Sequence, residues 1–135
     1  MPKRIVILHD VHAAQGPPDQ SDTLLEAQAI ASALGGLGCE PVIVPVGLDL
    51  AALERTLAEL APSVVFNLVE SLEGRGRLIQ VVPALLESLG LPFTGCSASA
   101  LGLTSDKVLA KRLLSVAGIA TPAPFEPGSS PAGGS

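Results

Sequence analysis

Two lysines near the end of the sequence could bind an anion. Lys107 and Lys111 are four residues apart, so a helix over this region would present both ammonium groups on one face. Lys107 falls in the first turn of the predicted helix, where a positive charge opposes the helix dipole and costs about 0.3 kcal/mol or more. A bound anion such as a triphosphate would offset that cost, which makes Lys107 the better binding candidate. Lys111 and Arg112 are interpreted as solvated helix charges.

A polar loop carries the second group of candidates. Residues 70–77, "ESLEGRGR", hold Glu70, Glu73, Arg75 and Arg77 among glycines. The two guanidinium groups could bind a carboxylate or a phosphate through paired hydrogen bonds. A flexible loop whose charges compensate one another explains the same residues equally well. The pattern leaves both interpretations open.

A third group follows the first apolar run. His9, Asp10 and His12 could in principle bind a metal, but no further ligand is spaced to help, so solvated loop residues are the stronger interpretation. The sequence contains neither the GxGxxG fingerprint of dinucleotide-binding folds nor the GxxxxGK[ST] loop that cradles phosphates.

The helix that would present Lys107 has clear boundaries in the sequence. We expect Thr104 or Ser105 to cap its first turn and Asp106 to add a favourable negative charge there. Gly118 is placed to end the helix in a left-handed turn, and Pro122 prevents it from resuming.

Strand and helix patterns alternate along the chain. Short apolar, β-branched runs predict strands, and 3.6-residue spacing predicts helices. The strands are expected at 4–8, 41–46, 63–69 and 91–95, and the helices at 21–38, 49–60, 78–90, 97–103 and 103–118. Ser21 or Asp22 should cap the first helix and Asp49 the second, while Pro83 should lie near a first turn or cause a kink.

This alternation predicts an α/β fold, an open parallel sheet of about four strands with helices on both faces. Ligands of such sheets bind at the carboxyl ends of the strands, which here lead into the loops 9–20, 70–77 and 94–97.

Composition excludes several other classes of protein. Hydrophobic residues make up 47% of the 135 residues and aromatic residues 2%, so the core must be aliphatic. A net charge of −5 argues against nucleic-acid binding. No apolar run is long enough to cross a membrane or to form a signal peptide, which predicts a cytoplasmic protein. Cys39 and Cys96 are expected to be reduced thiols.

Residues 64–122 contain several linear motifs in a fixed order. A strand runs into a polar loop, followed by Gln80 and the helix–strand unit "LLESLGLPFTG". The most specific part is the block from Asp106-Lys107 through Lys111 and Ala117-Gly118 to Thr121-Pro122. In this order the motifs resemble the D-alanine–D-alanine ligases of the ATP-grasp superfamily, whereas the first sixty residues fit only in architecture.

The resemblance implies a domain organisation and a reaction. Residues 1–103 would form a Rossmann-like N-terminal domain that precedes the ATP-grasp, residues 104–126 the first helix and strand leading into the ATP-grasp domain, and 127–135 a flexible tail or linker. The implied enzyme uses ATP and Mg²⁺ to phosphorylate a carboxylate, which an amine then attacks, as in cell-wall dipeptide synthesis.

The resemblance also implies site residues. Lys107 would reach the ATP phosphates, and Glu70, Ser71 and Arg75 would contact D-alanine or a similar amino acid. No catalytic or metal-binding residue is implied within this chain, and no cofactor is expected to bind it tightly. Neither nucleic acid nor a membrane is an expected partner, whereas a homodimer is possible.

The chain departs from the family in its substrate loop. Glu70-Ser71 stand where the ligases have His-Gly, and Gly74-Arg75-Gly76-Arg77 where they have Gly-Glu-Asp-Gly. Strict D-alanine specificity is therefore not expected, although ligation is. The family's remaining ATP, magnesium and oxyanion ligands would lie beyond residue 135, so we expect the isolated chain to be inactive. The alternatives are a stand-alone binding module of the same fold and, last, an unrelated flavodoxin-like receiver domain.

Overall fold

The computed structural model describes residues 1–11 and 18–123. Its strands and helices alternate as the sequence predicts. Each of the three strands in the described residues is followed by a loop and then a helix. The elements are β1 (Arg4–Asp10), α1 (Pro18–Gly36), β2 (Glu40–Val46), α2 (Leu50–Leu60), β3 (Val64–Asn67), α3 (Val81–Ser88), α4 (Ala98–Thr104) and α5 (Lys107–Val116).

The strands form one parallel sheet in the order β2-β1-β3. The central strand β1 is buried along nearly its whole length, which explains its unbroken apolar run. Ile7 lies opposite Ile43 of β2 on one side and Phe66 of β3 on the other. The predicted α/β class with a parallel sheet is confirmed.

Helices cover both faces of the sheet. Val6 and Leu8 of β1 share a buried cluster with Leu53 and Leu57 of α2 and with Leu86 of α3. Alternate strand residues point to opposite faces, so the buried Ile5 and Ile7 face the other side, where α1 packs against β1 and β2.

The expected fourth strand is reduced to a single bridge in the described part of the chain. Residues 91–95 pair with β3 only at Phe93 and Val65. The Val65 amide donates to the Pro92 carbonyl at 2.9 Å, and the Thr94 amide donates to the Val65 carbonyl at 3.0 Å. The next β3 amide, that of Asn67, donates to the Thr94 side-chain hydroxyl instead (3.1 Å). Gly95, with φ 97°, then turns the chain away, so the ladder stops.

Helix boundaries follow the predicted signals with two corrections. Asp49 caps α2 by accepting from the Ala52 amide at 2.9 Å, and Pro83 lies in the first turn of α3, the first of its two predicted places. The helix α1 begins at Pro18, a residue whose missing N–H suits the first turn, so Ser21 and Asp22 lie inside the helix rather than capping it.

The second correction concerns α5. Asp106, rather than Thr104 or Ser105, is its cap, and Asp106 Oδ1 accepts from the amides of Val108 (2.9 Å) and Leu109 (3.1 Å). Thr104 belongs to α4, where its hydroxyl donates to the Ala100 carbonyl at 2.7 Å. Gly118 ends the helix with φ 76°, as predicted.

Candidate functional site

The loop after β3 meets the end of β1 at the carboxyl edge of the sheet. Asp10 is the last residue of β1 and is 8% exposed. The Ser71 hydroxyl donates to Asp10 Oδ2 at 2.9 Å. The parallel pairing of β1 with β3 produces this contact, because it brings the two strand ends to the same edge.

Residues 67–72 are held in place by the core and by local hydrogen bonds. The Val69 amide donates to Asn67 Oδ1 at 3.2 Å, which fixes the turn that leaves β3. Val69 is 4% exposed and Leu72 is fully buried. Ser71 is therefore fixed between two anchored positions.

A tight turn at Glu73 and Gly74 completes the loop. Both residues have positive φ, 51° and 75°, and the backbones of Leu72 and Arg75 hydrogen-bond to each other across them. Two consecutive left-handed residues are typical of a type I′ turn. Residues 72–75 therefore form a defined turn.

Two of the predicted substrate residues stay on the surface of this loop. Glu70 and Arg75 are both exposed, and neither forms a side-chain hydrogen bond or ion pair with residues 1–11 or 18–123. Of the three predicted substrate residues, only Ser71 contacts the Asp10 carboxylate. The side chains of Glu70 and Arg75 are exposed to solvent, where a ligand could reach them.

The end of β1 differs from the solvated loop that the sequence suggested. His9 and Asp10 belong to the strand and are 6% and 8% exposed, so that expectation is wrong for both. His9 Nδ1 lies 2.9 Å from the Asp10 carbonyl, which can only accept, so Nδ1 carries a proton. His12 lies outside the described residues. Within the described residues, no group of three His, Cys, Asp or Glu side chains could hold a metal ion.

The two lysines of α5 have different surroundings. Lys107 is the first residue of the helix and is exposed, without a side-chain hydrogen bond or ion pair to the described residues. Lys111 is half-buried, and its Nζ donates to the Ala123 carbonyl at 3.3 Å. Lys111 thus ties the helix to the segment that follows it, whereas the Lys107 ammonium is available.

An open groove of about 520 Å³ lies between the end of the polar loop 70–77 and α5. Arg77 lines it from one side, and Ser105, Asp106 and Val108 from the other. Lys107 stands between two of these lining residues on the helix. The sequence predicted Arg75 as the substrate-binding arginine. In the structure, Arg77 is the arginine that lines the groove beside α5, which the sequence alone could not show.

The chain matches known ligases over most of its length. It is 38% identical over 108 residues, 79% of the chain, to the D-alanine–D-alanine ligase of Moorella thermoacetica. It is 35% identical over 122 residues to that of a Caulobacter species, strain K31. This chain is a homologue of the N-terminal region of the D-alanine–D-alanine ligases. It spans about a third of the length of these relatives, 33% and 36% respectively. No protein-family model matches the chain.

Solved structures share the fold. The Bacillus anthracis D-alanine–D-alanine ligase complexed with ATP superposes with a TM-score of 0.68 at 21% identity, covering 90% of this chain and 38% of that one. The biotin carboxylase domain of a single-chain bacterial carboxylase gives a TM-score of 0.54 at 24% identity, covering 96% of this chain and 31% of that one. At these identities the likeness is one of fold alone.

Sequence reasoning underestimated Asp10. The sequence suggested only a possible metal ligand or a solvated loop residue at this position. A usable signal was present, because a carboxylate that ends a buried apolar strand must lie at the carboxyl edge of a parallel sheet. Its pairing with Ser71 could not be foreseen, because the two residues are far apart in sequence.

No helix in the described residues is both long and apolar enough to span a membrane.

Proposed function

We propose that this chain is the substrate- and nucleotide-facing N-terminal part of an ATP-dependent carboxylate–amine ligase. The identity of 38% to a D-alanine–D-alanine ligase over 79% of the chain carries this proposal. In such a ligase ATP activates a carboxylate, and an amine then attacks it. The contribution of these residues is to bind an amino acid near Ser71 and the nucleotide phosphates at Lys107.

The surroundings of Lys107 support its role. An exposed ammonium without a partner in the described chain is free to bind a phosphate. Its place at the first position of α5 opposes the helix dipole, and a bound anion would remove that cost. Asp106 already caps the Val108 and Leu109 amides, so the lysine, rather than those amides, is the group left for a phosphate.

Metal ligands would have to come from elsewhere. The resemblance places the magnesium carboxylates of the family beyond residue 135. Among the described residues, no three His, Cys, Asp or Glu side chains are grouped so that they could hold a metal ion. We expect residues 1–135 alone to bind Mg-ATP weakly and to have no ligase activity, since one lysine does not hold a triphosphate in position for transfer. A cytoplasmic location and a homodimer stay predictions.

The proposed domain boundary near residue 104 is supported by packing. The helix α5 packs against α4, yet none of its residues is buried. Its apolar side chains are 38–89% exposed: Val108, Leu109, Leu113, Leu114 and Val116. A helix with such a surface is typical of the first element of a further domain, which would cover it.

Nucleotide titration followed by NMR tests the proposed role of Lys107. Mg-ATP at millimolar concentration should shift the backbone amides around Asp106–Leu109 in the 135-residue chain. Lys107→Ala should weaken this binding about tenfold, because a charge-assisted hydrogen bond to phosphate contributes about 1.5 kcal/mol.

Lys111→Ala serves as the matched control. It removes the same charge one turn away, so it should leave the affinity within about twofold. Equal binding by Lys107→Ala and the unmodified chain would refute the role of Lys107. A chain that does not respond to Mg-ATP at all would favour a non-catalytic module of the same fold.

A further inference from the structure

We propose that Glu87 is a positioning residue, which holds α4 in place and, through α4, orients the helix α5 that carries Lys107. Glu87 lies in the last turn of α3, and its Oε1 accepts from the Ala98 amide at the start of α4 at 2.8 Å. The consequence for nucleotide binding rests on the proposed function, whereas the orientation of α5 can be measured without a nucleotide.

The position of α5 depends on its neighbour α4. Neither helix buries any of its residues, all of which the structure describes. The main packing partner of α5 is α4, and α4 in turn packs against α3. Val82 and Leu86 of α3 belong to the core cluster. The core therefore determines where Lys107 lies through a series of contacts, from α3 to α4 and from α4 to α5.

The bond from Glu87 adds something that α4 does not supply for itself. Ser97 already caps α4 from its own segment, because its side chain accepts from the Ala100 amide at 3.3 Å. Glu87 comes from a different helix, and a carboxylate that accepts from a backbone amide makes a charge-assisted hydrogen bond. This bond therefore fixes where α4 begins relative to α3.

A second contact with α4 lies near its other end. A Cβ at Gly102 would be 3.9 Å from Cγ of Gln80, the residue just before α3. The buried side-chain oxygen of Gln80 has no hydrogen-bond partner among the described residues, so this contact is one of packing alone. Two contacts near opposite ends fix the direction of a helix. Without the bond from Glu87, α4 could pivot about the contact at Gly102.

Such a pivot would change the groove beside α5. Arg77 lines one wall of this groove, and Ser105 and Asp106, which connect α4 to α5, line the other. A rotation of α4 moves the second wall and Lys107 together, while Arg77 stays with the polar loop. The affinity for a nucleotide held between the two walls therefore depends on the hydrogen bond that holds α4.

Residual dipolar couplings of the 135-residue chain measure the orientation of α5 relative to the sheet. In the unmodified chain, the amides of β1 and α5 should fit a single alignment. Glu87→Ala should reduce the couplings of α5 to about half through motion of the helix, with those of β1 unchanged. Glu87→Gln keeps a side-chain oxygen that can accept from the Ala98 amide, so it should restore most of the coupling.

Glu59→Ala is the matched control. It removes an exposed carboxylate from the last turn of α2 and should leave the couplings of α5 unchanged. The helical chemical shifts of α5 should persist in Glu87→Ala, because Asp106 still caps that helix. Reduced couplings with helical shifts intact report a change of orientation. Loss of the helical shifts would overturn the inference, since Glu87 would then be needed to fold α5 rather than to orient it.

Titration with Mg-ATP connects this orientation to the proposed function. Glu87→Ala should raise the apparent Kd about threefold, because the affinity falls with the fraction of molecules in the competent orientation. Glu87→Gln and Glu59→Ala should leave the Kd unchanged. An unchanged Kd in Glu87→Ala despite reduced couplings would show that Glu87 does not position the binding group.

Two further results would overturn the inference: couplings of α5 that are the same in Glu87→Ala and the unmodified chain, or a loss in Glu87→Gln as large as that in Glu87→Ala. If the couplings do not change but Mg-ATP still shifts the amides of Asp106–Leu109, the positioning role is wrong and the proposed function stands. If α5 reorients in Glu87→Ala but no variant responds to Mg-ATP, Glu87 orients α5 and the nucleotide role is wrong.

Discussion

At the scale of single residues, burial divides the loop after β3 into anchored and exposed positions. Val69 and Leu72 are buried, whereas Glu70, Glu73 and Arg75 are exposed. The same short stretch is therefore anchored in the core and presents charged groups to solvent. Leu72 anchors this stretch in the core, although its neighbours in the sequence are polar and suggest a fully exposed loop.

Leu72 should accordingly behave as a core residue. We expect Leu72→Ala to lower the free energy of unfolding by about 2–5 kcal/mol, because it leaves a cavity in a fully buried position. Urea denaturation of the chain measures this loss. Leu48→Ala is the matched control: Leu48 also lies in a loop but is 41% exposed, so the loss should be below about 1 kcal/mol. Similar losses in the two variants would show that Leu72 does not anchor the loop.

At the scale of elements, α2 and α5 both begin at an aspartate cap but differ in how many of their residues are buried. Asp49 caps α2, which buries Leu53 and Leu57 in the core. Asp106 caps α5, which buries no residue. A cap stabilises the whole fold only when its helix is coupled to the core by packing.

The two caps should therefore respond differently to the same substitution. Asp49→Ala should lower global stability by about 1 kcal/mol and lower the melting temperature by several degrees. Asp106→Ala should fray α5, seen as a loss of helical chemical shifts at its first turn, without changing the melting temperature. Equal shifts in melting temperature would mean that α5 is coupled to the core more tightly than its exposure indicates.

At the scale of the whole molecule, stability should be concentrated in the sheet. Val6, Ile7 and Leu8 of β1 are fully buried between two neighbouring strands. The apolar side chains of α5, by contrast, are exposed to solvent. The described residues thus combine a strong core with a helix that has little to hold it.

Hydrogen exchange measures this gradient residue by residue. The amides of β1 should exchange only on global unfolding, which costs about 5 kcal/mol or more. Those of α5 should exchange through local opening at about 0–2 kcal/mol. Protection of α5 equal to that of β1 would contradict the gradient and with it the packing argument for a domain boundary near residue 104.

The sequence by itself determined the fold class, most helix ends and the candidate lysine. Apolar periodicity identified β1, β2, β3 and the helices, and Asp49 and Gly118 marked boundaries, because these signals act within a few residues along the chain. Lys107 stood out for the same reason, since its conflict with the helix dipole is local. The resemblance to the ligases was likewise readable from linear motifs.

Only the tertiary structure decided which residues meet. The pairing of Asp10 with Ser71, the burial of Leu72, the groove shared by Arg77 and α5, and the reduction of residues 91–95 to a single bridge all depend on contacts between distant parts of the chain. Sheet order and register fix those contacts, and no short stretch of sequence contains them. Local chemistry thus selected the candidates, and strand pairing determined which of them share a site.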